Sequence, residues 1–199
     1  MRSLVFVGCN FGPDVTKVVQ DYDLIWLFEP ITEIALTLAE EFHAEQYRDK
    51  AIMVVNAACW TDNETRPFRI YNTNGLSSSL GTITEQAVET FSGNDLSLFD
   101  ERTCRCVRLD SYLPAWLTSL VIDAQGADLT ILKTIEPWLT CGRIEAIQIE
   151  CDGDGFKHYE GLEDNSESSL VEYMRQFPYT ATRVPDRSDA NPDYLFVRK

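Results

Sequence analysis

Apolar residues along this chain fall into short unbroken runs, separated by stretches in which they recur every third or fourth position. The runs SLVFVGC (3–9), LIWLF (24–28), AIMVVNAAC (51–59), SLVIDAQG (119–126) and RIEAIQIEC (143–151) predict buried strands. Between the first two, Pro13 predicts a helix start, with the helix running to about Gln20. ITEIALTLAEEFHAEQY predicts one long amphipathic helix, with Ile31, Ile34, Ala35, Leu38 and Phe42 on a single face. ADLTILKTIEPWL predicts a helix cut near its end by Pro137, and SSLVEYMRQF another. YTATRVP and DYLFVRK predict an antiparallel closing pair. From about 63 to 108 the pattern is irregular. RPFRIYN reads as extended, NTNGLSSSL as a polar loop, and CRCVRLDSYL as a strand running into a turn. Alternating strands and helices imply parallel βαβ units. The fold class expected is α/β: a mostly parallel, doubly wound sheet with an antiparallel closing strand, in one domain spanning residues 1–199.

Composition narrows the partners. The net charge of −15 disfavours nucleic acid, which needs lysines and arginines gathered on one face. The one local group, Arg102, Arg105 and Arg108, reads as the solvent face of a strand. No stretch approaches the roughly 20 apolar residues of a membrane span, and Met1-Arg2-Ser3 leads into a strand rather than a signal peptide. A cytoplasmic protein without a membrane partner is expected. The six cysteines are dispersed, with one C-x-C and no C-x-x-C, so reduced core thiols are expected rather than zinc or disulfides.

In an open α/β sheet the ligand crevice lies at the carboxyl ends of the strands. Gly8 and Gly12 stand at the first such end, where glycine permits a tight turn or the close approach of a ligand. Glu29 ends the second strand, as a ribose-binding carboxylate or a helix-capping acid. Asn56 and Asp62, with Ala57 and Ala58 between them, follow the third strand as adenine neighbours or polar turn residues. Asp123 and Glu150 close two otherwise apolar strands, where a carboxylate is costly unless paired or in a cleft. They are candidates to approach a substrate hydroxyl, or to hold a divalent cation such as magnesium with Asp152 and Asp154. His158 is the one histidine near this mouth, a general-base candidate or a plain loop histidine.

VGCNFG, FEP, NAACWTD, GLSSSL, RLDSYL and VIDAQGADLTILKTI, in that order and spacing, resemble the motifs of the FkbM family of S-adenosylmethionine-dependent methyltransferases. The resemblance runs from about Val5 to Cys151. It implies a Rossmann-like class I methyltransferase fold and transfer of a methyl group to oxygen, typically a hydroxyl of a sugar or glycan. Carried over by position, Gly8, Asn10 and Gly12 would approach the methionine part of the cofactor and Glu29 its ribose. Asn56, Ala57 and Asp62 would lie near its adenine. Gln125, Ser78 and Ser79 would face the acceptor, with Asp123, His158 and Glu150 as catalytic candidates. Two positions depart from the family pattern: Phe6 stands where an acid precedes the glycine motif, and Val121 where a lysine precedes I-D. The chain also begins at the first strand, without the covering helices of many members. An open acceptor pocket, or one completed by a second copy or a neighbouring glycosyltransferase, is therefore expected. The rival readings are a scaffold that has lost catalysis, a nicotinamide enzyme on a similar sheet, and a methyltransferase with a nitrogen or carboxylate acceptor.

Overall fold

The side chains of a strand alternate between its two faces, and the first strand uses both. In the computed structural model, which describes all residues except Gly12 and Asp186 and the side chains of Pro13 and Asp14, the chain opens with β1 (Ser3–Val7), α1 (Pro13–Val18), β2 (Leu24–Phe28), α2 (Thr32–Phe42) and β3 (Ala51–Val55). An irregular part follows: β4 (Ala58–Cys59), β5 (Thr65–Tyr71), β6 (Thr82–Ile83), α3 (Glu85–Thr90) and β7 (Leu98–Val107). Alternation resumes with β8 (Leu117–Ile122), α4 (Asp128–Lys133), α5 (Glu136–Thr140), β9 (Ile144–Glu150), β10 (Tyr159–Glu160), α6 (Glu167–Met174), β11 (Tyr179–Arg183) and β12 (Asp193–Arg198).

Seven strands form one sheet in the order β11-β12-β9-β8-β1-β2-β3. The five from β9 to β3 are parallel, while β12 runs antiparallel to both β9 and β11. Leu4, Phe6, Ile25 and Leu27 pack on one face against Val15, Val19, Ile34, Leu38 and Phe42. Val5, Val7, Phe28, Leu120 and Ile147 pack on the other against Leu129, Ile131, Leu132, Leu139 and Leu170. Thus α1 and α2 cover one face and α4, α5 and α6 the other, the doubly wound arrangement expected. Each of these buried aliphatic side chains is worth about 1.5–3 kcal/mol.

Four elements differ from expectation. The long helix stops at Phe42, and residues 45–47 form a separate 3-10 turn. Ala44 is extended there (ψ 153°), and Tyr47 turns back to pack on Phe42 with ring centroids 5.0 Å apart. AIMVVNAAC breaks at Asn56, whose side-chain amide donates to the carbonyls of Glu29 (2.9 Å) and Pro30 (3.1 Å). The chain then leaves β3 so that β4 can pair with β7. ADLTILKTIEPWL is two helices, broken before Pro137, because a proline fits the first turn of a helix and not its interior. The strand expected from Cys104 already begins at Leu98 and forms a long hairpin with β5.

That hairpin and the segment before it pack onto the body of the domain. Arg102 forms an ion pair with Glu33 of α2 at 2.8 Å, and Phe68, Ile70, Cys104 and Cys106 enter the core beside α1 and α2. The strand β6 pairs with β10, and Thr84 caps α3 by accepting the amide N–H of Ala87 (3.0 Å). Residues 75–96 are thereby drawn across the carboxyl ends of the sheet. All six cysteines are free; five are buried and Cys141 is exposed. No helix among the described residues is long and apolar enough to cross a membrane.

Candidate functional site

The chain moves outward from β1 in both directions, first to β2 and later to β8. A crevice is required where the two courses part, and a cavity lies there. It is open to solvent at its mouth. Its floor is the turn after β1 (Gly8, Cys9, Asn10) and the end of β2 (Phe28 to Ile31). Gly75, Leu76, Ser78 and Leu80 of the irregular segment line it too, as do Ala57, Ala58, Asp123 and Gln125.

Glycine at position 8 answers to the protein's own backbone. Its φ is +78°, and a Cβ would stand 1.8 Å from the carbonyl oxygen of Asp123. No other residue fits between β1 and β8. Asn10, also left-handed at φ 46°, turns the loop so that its amide N–H donates to Glu29 Oε2 at 2.9 Å. The amide N–H of Ile31 donates to Glu29 Oε1 at 2.8 Å. Glu29 is therefore a clamp between the turns after β1 and β2. It is 3% exposed, and burial pushes its carboxyl up to about 7, against the pull of those two N–H donors. Two acceptor directions remain on its oxygens toward the cavity it lines.

A second group is carboxylate-rich. Gln125, at φ 51°, donates from Nε2 to Asp123 Oδ1 (2.6 Å) and Glu150 Oε2 (3.1 Å). Its own carbonyls are held as well: the hydroxyl of Tyr159 lies 2.8 Å from Oε1, and Ser79 Oγ donates to the backbone oxygen at 2.7 Å. Asn191 Nδ2 donates to Glu150 Oε1 at 2.6 Å. Burial raises Asp123 and raises Glu150 well above the carboxylate range, and the charge of each neighbouring acid adds to the rise on Glu150. Asp128, wholly buried, accepts the amides of Ala124 (2.6 Å) and Gly126 (3.0 Å), and burial lifts it to about 7.

Gly8, Asn10, Glu29, Ala57, Ser78, Asp123 and Gln125 are thus gathered around one cavity. Gly12 lies outside the described residues. Ser79 is buried behind Gln125. Asn56 and Asp62 stand off the cavity: Asn56 ties β3 to the end of β2, and Asp62 pairs with Arg66 at 2.6 Å. Arg102 and Arg108 are paired with acids, Arg108 with Asp110 at 2.6 Å. His158 is 5% exposed with Nδ1 2.7 Å from Asp152 Oδ1, in a second cavity with Glu150. Asp154 is turned to the amide of Ser168 (2.9 Å). Among the described residues no group of three or more histidines, cysteines and acids is arranged to hold a metal ion, so the cation expected of Asp123, Glu150 and Asp152 has no ready site. Tyr159 and Asn191 were not legible as site residues.

The fold can be compared with solved structures. The FkbM methyltransferase of Methylobacillus flagellatus superposes with a TM-score of 0.64 over 98% of this chain, at 12% identity. The fold is that of a class I methyltransferase. A candidate methyltransferase of Streptococcus mutans in complex with SAH gives 0.53 at 9% identity, over 100% of this chain and 89% of that one. An rRNA methylase of Streptococcus thermophilus gives 0.52 at 10% identity, covering 99% and 86%. This chain spans only 43% of the length of the FkbM chain. No family model and no curated protein matches the sequence. The sequence motifs and the likeness in fold meet on the FkbM methyltransferase, though at this identity the likeness speaks for the methyltransferase fold alone.

Proposed function

We propose that the protein is an S-adenosylmethionine-dependent methyltransferase acting on oxygen, with a hydroxyl of a sugar or glycan as acceptor. The observation that carries this reading is Glu29. It is a buried carboxylate at the end of β2 with two acceptor directions left for ribose hydroxyls, beside a cavity at the switch point of a methyltransferase fold. The cavity suits the cofactor. Ile31, Ala57, Ala58 and Leu80 offer an apolar wall to a purine. The acids around Asp123 favour a cationic sulfur.

A bound S-adenosylmethionine would supply an activated methyl group for transfer to the acceptor oxygen, which gives up one proton. The residues of this chain have the remaining tasks. The loop from Gly8 to Asn10 and Glu29 hold the cofactor and exclude water behind it. Asp123 and Glu150 are placed to take the released proton, because burial raises the proton affinity of each above that of an ordinary carboxylate. Gln125 orients both carboxylates. Titration calorimetry with S-adenosylmethionine and S-adenosylhomocysteine tests the reading. Micromolar binding weakened by Glu29→Gln in a protein that still unfolds cooperatively supports it. A folded protein that binds neither ligand sinks it in favour of a scaffold.

A further inference from the structure

Beside the cavity just described lies a second, open to solvent at its mouth, whose lining includes Phe91, Asn94, Gln125, Glu150, His158 and Asn191. Gln125 lines both cavities. We propose that this second cavity is the acceptor subsite, built for an uncharged, hydroxyl-bearing molecule whose reacting oxygen sits against Gln125 and Glu150; this rests on the methyl-transfer reading above.

Three features of the wall lead there. The first is an unsatisfied atom. His158 is 5% exposed, its Nδ1 is spent on Asp152 at 2.7 Å, and its Nε2 has no partner in the protein. A buried ring nitrogen without a partner in a cavity wall calls for one, and a hydroxyl can serve it as donor or acceptor. The second is charge. The lining carries no lysine or arginine, so a phosphorylated or carboxylate-bearing acceptor would find no counter-ion. The third is the mixture of an aromatic ring with amides. Phe91, whose ring centroid lies 5.0 Å from that of His158, offers an apolar face, while Asn94, Gln125 and Asn191 offer amides. A polyol ring presents the same alternation of C–H face and hydroxyl edge.

The chain has only two histidines, and His43 is exposed on the far end of α2, which gives an internal control. The experiment labels histidine with 15N, saturates the protein with S-adenosylhomocysteine, and titrates it with methyl α-glucoside, glycerol and glucose 6-phosphate. Saturable movement of the His158 resonances with the two neutral polyols is expected, with His43 unmoved and the phosphate at least tenfold weaker. Asn94 is exposed at the rim, so Asn94→Trp narrows the mouth with little threat to folding. It is expected to abolish the polyol shift and leave affinity for S-adenosylhomocysteine within twofold. A silent His158 in the saturated wild type overturns the proposal, and an equal response to glucose 6-phosphate overturns the charge selection. Should S-adenosylhomocysteine fail to bind, the methyl-transfer reading falls, while the polyol titration of the same sample still decides the cavity.

Discussion

The two cavities are made in different ways. The first is built mostly from continuous strand-to-helix turns: Gly8, Cys9 and Asn10 after β1, and Phe28 to Ile31 after β2. Its central acid, Glu29, is held by two backbone N–H groups within those same turns. The second assembles side chains from far apart in the chain, from Ser77 and Ile83 through Gln125 and Glu150 to His158 and Asn191. Its acids are held by other side chains, Glu150 by Gln125 and Asn191 and Asp152 by His158. Backbone-built sites tolerate changes in neighbouring side chains, whereas side-chain networks depend on each member. The cofactor-like cavity is therefore fixed by the local fold, and the acceptor-like cavity is the part free to vary in what it admits.

The severest way to break the comparison is to damage the seam common to both halves. Gly8→Ala puts a methyl group 1.8 Å from the Asp123 carbonyl at a positive φ. A loss of more than about 3 kcal/mol is expected in urea unfolding, or failure to fold. A loss below about 1 kcal/mol would mean that the ends of β1 and β8 are not rigidly joined. Next in size, Glu29→Gln should weaken S-adenosylhomocysteine binding roughly tenfold to hundredfold, the equivalent of about 1.5–3 kcal/mol for charge-assisted hydrogen bonds. Glu150→Gln should change that affinity by less than about threefold. Comparable effects from the two variants in calorimetry would erase the division between the cavities.

Acid titration sharpens the same division. Glu29 and Asp128 are both raised to about 7 by burial, from 4.5 and 3.8. Between about pH 4 and pH 7 the folded chain keeps protons that the unfolded chain has lost, so stability falls as pH rises through that window and levels off above it. Each group contributes on the order of 3 kcal/mol by this route. The melting temperature should be higher at pH 5 than at pH 8, and Glu29→Gln should flatten part of the difference. Because a ribose hydroxyl favours the ionised carboxylate, cofactor affinity should instead rise with pH towards and through 7, with proton release visible as a buffer-dependent binding enthalpy. Affinity that is level between pH 6 and pH 8 would remove Glu29 from the contact. The smallest effect is thiol labelling of the native protein, where Cys141 alone of the six cysteines should react promptly.

Much of the frame was determined by the sequence itself. Alternation of apolar runs with helical periodicity requires parallel strands and two covered faces, because each run can be buried only between layers. The acids ending β2, β8 and β9 followed from the cost of leaving a carboxylate in an apolar strand. Gly8 was legible as a residue something must approach. Only the tertiary structure decided that the approaching group is the Asp123 carbonyl. The same holds for the roof that residues 75–96 form over the strand ends, for the burial of His158 against Asp152, and for the exclusion of Asn56 and Asp62 from the cavity. None of these has a local signal: each depends on which distant segments pack together, and so on register and loop path rather than on residue type or spacing.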